Sequence, residues 1–411
     1  MSRTDYDRPS PIDAPRAPRS RFTSYKKHRR RTRNRRIRRV VALVTLGALI
    51  WLSFSVGGAL LNPALGSSAG SRLAEWARTH GGSGIVNWAE NEWYSHHQPK
   101  VGGTVPPGAI VKPSGAGTIT SSVPHLATPS RITSFASPAL PGEGQWSPVG
   151  RPVDGIPAVY ETTLRPDAIH TSYVVGVAWM DTKLLRATLY SGSQIPGGGP
   201  YTYSAPVKPP AARTLVTAFN AGFLMSNAQG GYYTDNKVIV PLRAGAASFV
   251  IHKDGTSDIV AWPSTGGIPS DVSSVRQNLD LLVRNGHVVS GLQANDTSKW
   301  GFTLGNAVYV WRSGLGVTAD GALVYVGGPG LNITDLANLL VRAGAVRAME
   351  LDINTDWVNF SSYRPATSTG LATAANGALL LPAMSGSTSR YFESWWGRDF
   401  ITMSANATGK N

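Results

Sequence analysis

Near the end of the chain, three polar side chains have the types and the spacing for acid–base chemistry. Across Ala348-Met349-Glu350-Leu351-Asp352-Ile353-Asn354, two carboxylates and an amide alternate with apolar residues. In a strand over 348–354, the period of two sends Glu350, Asp352 and Asn354 to one side and Met349, Leu351 and Ile353 to a core. Carboxylates held side by side repel one another, so their pKa values separate. One can then act as acid and the other as base, which is the division of work that cleavage of a glycosidic or phosphoester bond requires. A plainer alternative has Glu350 paired with Arg347 or Arg342 and Asp352 capping a loop. The oxygens of Asp352, Asn354 and Asp356 also alternate as in a calcium loop, but Trp357 stands where such a loop needs glycine. No cofactor is expected; the alternative is a divalent cation such as calcium on those three residues.

Two further segments offer binding groups. In Phe219-Asn220-Ala221-Gly222-Phe223, the small residues let backbone N–H groups at Gly222 and the Asn220 amide approach a ligand, and Gly230-Gly231 lets Tyr232 or Tyr233 close over it. The competing reading is a glycine-rich turn with Asn220 bonded to local backbone. Arg312-Ser313-Gly314 ends one β-prone run and leads into another, and the fork of Arg312 suits a phosphate or carboxylate. His170, His252 and His287 are scattered, and neither a Ser-His-Asp order nor a G-x-S-x-G elbow is present. Trp395-Trp396 stacks on a sugar ring or belongs to a core. The chain has no cysteine, which excludes thiol nucleophiles, disulfides and cysteine-based zinc sites.

The elements that must position these residues are mostly strands. Short β-prone runs fall at Tyr173–Ala178, Leu184–Tyr190, Thr214–Phe219, Ala247–His252, Ile259–Trp262, Asp280–Arg284, Ala307–Arg312, Leu315–Thr318 and Ala322–Val326. Asp254-Gly255, Asn285-Gly286 and Asp320-Gly321 separate some of them and predict tight hairpins. One helix is expected, capped by Thr334, with Leu336, Leu339, Leu340 and Val341 on its apolar face and Gly344 at its end. The fold class is therefore α+β, a mainly antiparallel mixed sheet with few covering helices, over residues 146–411.

Of the 39 Lys and Arg in 411 residues, 15 lie in residues 1–39, against three Asp there. The rest of the chain is close to neutral, so it lacks the basic stripe that nucleic-acid binding needs, and no nucleic-acid partner is expected. After the basic stretch, Val40–Leu61 carries no charge. Its length as a helix, ~33 Å at ~1.5 Å per residue, matches the ~30 Å hydrocarbon core of a bilayer. It is expected to be a single-pass signal-anchor, with residues 1–39 a cytoplasmic tail and the C-terminal domain extracytoplasmic, at the cell membrane. Residues 62–97, with Leu73, Trp76, Ile85, Trp88 and Trp93, are expected to be a membrane-proximal helical segment. Residues 98–145, rich in Pro, Gly and Ser, are expected to be a linker.

The motifs occur in an order that resembles the phosphodiester glycosidase family, the domain of the uncovering enzyme and of many bacterial exported proteins. The resemblance runs from about Thr163 to Met403. Asn220-Ala221-Gly222-Phe223-Leu224 is similar to the family's Asn-Gly-Gly-Phe-Phe-like motif. Arg312 to Gly321 is similar to its Arg-Thr-Ala-Ile-Gly-x-Thr-x-Asp-Gly segment, and a helix followed by Ala348 to Asp356 is similar to its helix followed by Ala-Leu-Asn-Leu-Asp-Gly-Gly-Gly-Ser. The chain departs where the family has Gly-Gly-Gly-Ser: it has Ile353-Asn354-Thr355-Asp356 there, and Glu350 replaces the family's Asn. Asn220, Arg312 and Asp352 carry over; the glycine loop does not.

The resemblance implies a divergent bacterial member, a glycosidase-type hydrolase on a sugar-1-phosphodiester or related linkage of a cell-envelope glycopolymer. In that expectation Asp352 and Glu350 are catalytic, and Asn220, Gly222, Arg312, Asn354 and Tyr232 bind the substrate. The alternative is a non-catalytic glycan-binding module at the cell surface, a degenerate member of the family.

Overall fold

The computed structural model describes residues 21–66, 68–82, 84–86, 88–89, 92, 99–111, 113, 122–296, 298–301 and 308–406, with the side chains of 21–32 excepted. The chain divides into two units, Met1–Ala59 and Leu60–Asn411. Helix α1 (Arg21–Leu61) is continuous, and its part Arg33–Leu61 is apolar and long enough to cross a membrane. Its apolar side chains, among them Val41, Leu43, Leu46 and Phe54, are exposed. The first 20 residues of the basic tail, and Trp93, lie outside the described residues.

In the second unit, α2 (Ala69–Thr79) starts at a capping box in which Ser68 and Ser71 satisfy each other's backbone N–H. The strands are β1 (Ser147–Val149), β2 (Val159–Leu164), β3 (Val175–Met180), β4 (Leu185–Tyr190), β5 (Leu215–Asn220), β6 (Tyr232–Thr234), β7 (Lys237–Val240), β8 (Ala247–His252), β9 (Ser257–Ala261), β10 (Val272–Gln277), β11 (Leu281–Arg284), β12 (His287–Val288), β13 (Val310–Thr318), β14 (Leu323–Leu331), β15 (Ala345–Glu350), β16 (Phe360–Tyr363), β17 (Gly377–Leu379) and β18 (Phe400–Ala405). They form an eight-stranded sheet, β1-β2-β3-β14-β13-β15-β11-β12, and two five-stranded sheets, β7-β6-β10-β8-β9 and β17-β16-β5-β18-β4. Every pairing between these strands is antiparallel. The fold is thus the expected antiparallel scaffold with few helices.

Strand periodicity builds two cores on opposite faces of the large sheet. Along β3, Val175, Val177 and Trp179 face one cluster while Ala178 and Met180 face the other. The first cluster is closed by α3 (Ile333–Arg342), which buries Ile333, Leu336, Leu339 and Leu340, each worth ~1.5–3 kcal/mol of apolar transfer. The cap of α3 is Asn332, whose Oδ1 accepts the Asp335 N–H at 2.8 Å, and not Thr334. The second cluster lies between the large sheet and strands of the two smaller ones.

Two expectations change. Arg312-Ser313-Gly314 lies inside β13, not at its end. Gly314 is there because a Cβ would meet Leu340 Cδ1 at 2.9 Å and Leu336 Cδ1 at 3.2 Å, so glycine lets α3 settle on the strand. The described parts of 98–145 are also no free linker. Leu126 and Ile132 are buried in the core under α3, the Leu126 N–H donates to Asp181 Oδ2 at 2.8 Å, and Glu143 makes a buried ion pair with Arg165 at 2.9 Å. Composition alone conceals those few anchoring contacts.

Candidate active site

Arg312 and Glu350 come from neighbouring strands, with Gly314 opposite Glu350 in the β13–β15 register. Arg312 Nη1 lies 2.6 Å from Glu350 Oε1, and both side chains are buried. The other Arg312 donations go to the carbonyls of Leu331, Trp300 and Val308. Arg312 is therefore spent inside the protein and offers no fork to a ligand. Its partner is not one of the arginines expected for Glu350: Arg347 donates to Asp258 and Ile259, and Arg342 lies over the ring of Phe135. Burial pushes Glu350 up to about 7 against the pull of Arg312, and its Oε2 has no hydrogen-bond partner among the described residues.

Asn220 ends β5 as a buried bracket between strands. Its Nδ2 donates to Ser313 Oγ at 3.0 Å, and its Oδ1 accepts from the Tyr325 hydroxyl at 2.9 Å and the Asn359 N–H at 3.1 Å. Ser313 in turn bonds both ways with the backbone of Asp352. Asn220 thus sets the position of Asp352 through Ser313. Gly222 faces inward, where a Cβ would come within 3.1 Å of the Arg276 guanidinium and 3.2 Å of Asn278 Oδ1. Tyr232 is fully buried in β6 with its hydroxyl on Ser191, away from the cavity described next.

The strand expected over 348–354 ends at Glu350. Asp352 Oδ1 accepts the N–H groups of Ile353 at 2.8 Å and Asn354 at 3.1 Å, and Asn354 Oδ1 accepts the Asp356 N–H at 2.8 Å. These side chains turn the backbone out of the ladder. Met349 and Leu351 still enter the core as the alternation demands. The same bonds engage Oδ1 of Asp352 and Oδ1 of Asn354, two of the oxygens that a calcium loop would present, and no group of three or more His, Asp or Glu side chains converges for a metal among the described residues.

The turn carries Asp352 into a cavity of about 540 Å³, lined also by Asn354, Trp357, Phe223 and Arg398, with Glu75, Arg78 and Thr79 of α2 on its wall. Burial pushes Asp352 up to about 6; Arg398 and the two N–H groups pull it down, and Asp399 pushes it further up. The Arg398 guanidinium lies 4.4 Å over the Trp357 ring, and its buried Nη1 has no hydrogen-bond partner among the described residues. Asp399 is occupied by Arg276, whose Nε donates to it at 2.6 Å. Chemically, the cavity joins a carboxylate that burial pushes up to about 6 to a guanidinium, a combination able to take a proton from water and hold an anion.

Of the residues expected at the site, Asp352 and Asn354 line the cavity, Asn220 supports it from behind, and Glu350, Arg312, Gly222 and Tyr232 do not line it. Arg398 and the α2 wall were not expected. The signal for Arg398 was Trp395-Trp396-Gly397-Arg398-Asp399, two opposite charges directly after a Trp pair; Trp396 itself belongs to the core.

Residues 213–352 match the model of the phosphodiester glycosidase family, a narrower span than the motifs covered. No curated protein matches the chain. Among solved structures, the chain is similar to the catalytic domain of zebrafish N-acetylglucosamine-1-phosphodiester alpha-N-acetylglucosaminidase, auto-inhibited by its pro-peptide, at 14% identity and a TM-score of 0.39, over 63% of this chain and 87% of that one. It is also similar to a hypothetical protein from Synechocystis, at 13% identity and a TM-score of 0.33, over 62% and 63% of the two chains.

Proposed function

We propose that the protein is a membrane-anchored, extracytoplasmic glycosidase-type hydrolase acting on a sugar-1-phosphodiester or related linkage of a cell-envelope glycan. The observation that carries this is that Asp352, the last residue of the span that matches the phosphodiester glycosidase family model, lines one cavity with Arg398. Arg398 holds the phosphate charge from the cavity wall. Asp352 takes a proton from the water that attacks C1 of the sugar. A phosphate ester is a good leaving group without protonation, so one carboxylate suffices and Glu350 stays with Arg312. Asn354 faces the same space and orients the sugar. The apolar part of α1 supports an anchor, with the basic tail on the cytoplasmic side.

Incubating the full chain with defined sugar-1-phosphodiesters tests the proposal. Release of a reducing sugar supports it. Saturable binding without turnover overturns it in favour of a glycan-binding module, to which the bulky Ile353 and Trp357 would give a closed wall.

A further inference from the structure

The next inference rests on that hydrolase reading and on α1 crossing a bilayer, and it names the substrate class. The apolar run ends at Leu61, and the body takes up the chain at once. Asn62 caps the short 3-10 turn Pro63–Leu65, and Ala64 is buried with its carbonyl 3.4 Å from where a side chain on Gly397 would begin. Arg72 of α2 donates to the Leu60 carbonyl at 2.9 Å and the Gly66 carbonyl at 2.8 Å. Leu65 lines a hollow of about 250 Å³ that shares Glu75, Arg78, Asn354 and Trp357 with the candidate site.

Leu65 lies four residue steps beyond Leu61, and a chain extends at most ~3.6 Å per residue, so the hollow beside the site begins within about 14 Å of the end of the apolar run. A tether this short cannot carry the site far into a matrix. Just beyond α2, Ile85 and Trp88 lie three residues apart on helical turns and are 74% and 67% exposed. Exposed Trp beside an apolar residue, close to a membrane exit, is the pattern of an interfacial contact.

We propose that the substrate is a sugar 1-phosphate esterified to a membrane-embedded lipid alcohol, presented at the outer bilayer surface, with Ile85 and Trp88 resting on the lipid. Such a lipid already contains a sugar-1-phosphodiester. Water adds its oxygen to C1 of the sugar as the bond from C1 to the phosphate oxygen breaks. The electron pair leaves with the lipid phosphate, now a monoester, and the water proton passes to Asp352 and then to solvent. The products are free sugar and lipid phosphate, and no further reactant is consumed.

The test uses the full chain in liposomes. The probes are glucose, mannose and N-acetylglucosamine 1-phosphates, each esterified either to a polyprenol in the same liposomes or to methanol in the bulk. Confinement to one surface raises the effective substrate concentration, so the polyprenyl ester is expected to turn over at least about tenfold faster than the methyl ester at equal amounts. The double variant Ile85→Ser, Trp88→Ser, and separately a Gly/Ser insertion of about 20 residues between Ala59 and Leu60, which adds ~25 Å of tether, are expected to lose that preference and keep the methyl-ester rate. Hydrolysis of the methyl ester without the polyprenyl ester, or a preference that both variants retain, overturns the lipid assignment alone. Hydrolysis of neither in any of the three sugars removes the hydrolase reading and this assignment with it.

Discussion

Arg312 and Glu350 face each other at 2.6 Å across adjacent strands, and neither side chain reaches the candidate cavity. The segment that carries Arg312 thus serves the sheet in this chain. Removing one partner of a buried pair strands a charge and costs ~3–5 kcal/mol, whereas replacing both with apolar residues is often tolerated. Arg312→Met is therefore expected to lower Tm by several degrees in a thermal melt, and Arg312→Met combined with Glu350→Leu to recover much of the loss. A single variant that melts as the parent does and raises KM instead would return Arg312 to substrate binding.

Asn220 is expected to matter through position. Asn220→Ala leaves the Tyr325 hydroxyl and Ser313 short of a partner, at ~1–3 kcal/mol for an unsatisfied buried group. Denaturant unfolding should report that loss. Because Ser313 holds the Asp352 backbone, kcat should fall with KM little changed; a rise in KM alone would mean direct contact with the sugar.

The proposed function gives the anion to Arg398, so Arg398→Met is expected to cost ~10–100-fold in kcat/KM on a sugar-1-phosphodiester, the worth of one hydrogen bond to a charged group, and to leave binding of the uncharged sugar unchanged. Equal losses for charged and uncharged ligands would reduce Arg398 to packing on Trp357.

The pH dependences of activity and stability should run in opposite directions. In the proposed function Asp352 acts ionised, and burial pushes it up to about 6, so kcat/KM is expected to fall about tenfold per unit below that value and to level off above it. For stability, burial holds Asp352 and Asp335 up to about 6, Glu350 to about 7 and Glu161 to about 8. Each then binds more protons folded than unfolded from about pH 4 up to its own folded value. That stabilisation is complete below the unfolded values and is lost as pH rises through the folded ones. Tm measured at constant ionic strength should therefore be higher at pH 5 than at pH 8, and the reverse order would contradict these assignments.

The sequence is most legible where local chemistry decides the structure. Ala247–His252 is a strand at the expected bounds, and the turns at Asp254-Gly255, Asn285-Gly286 and Asp320-Gly321 each close a hairpin, because φ > 0 at these positions favours Gly and Asn. Asp352 could be singled out because alternation across 348–352 separates core from polar residues. It is less legible where a distant element sets the requirement. Gly314 looks like a break until Leu336 and Leu340 are placed against it, and the charges after the Trp pair do not reveal that Arg398 meets Asp352, which only the fold brings about. Likewise, the Pro- and Ser-rich stretch before residue 146 is held by Leu126, whose N–H donates to Asp181, by Ile132 in the core under α3, and by the pairing of Glu143 with Arg165.

The most direct measurement follows the oxygen. The full chain is incubated with a sugar-1-phosphodiester in ¹⁸O-labelled water, alongside Asp352→Asn, whose amide oxygen can still accept the Ile353 and Asn354 N–H groups. The account predicts label at C1 of the released sugar, none in the phosphate, and a loss of ~10²–10⁴-fold in rate for the variant with its circular dichroism unchanged. Label in the phosphate, or a variant as fast as the parent, would contradict it.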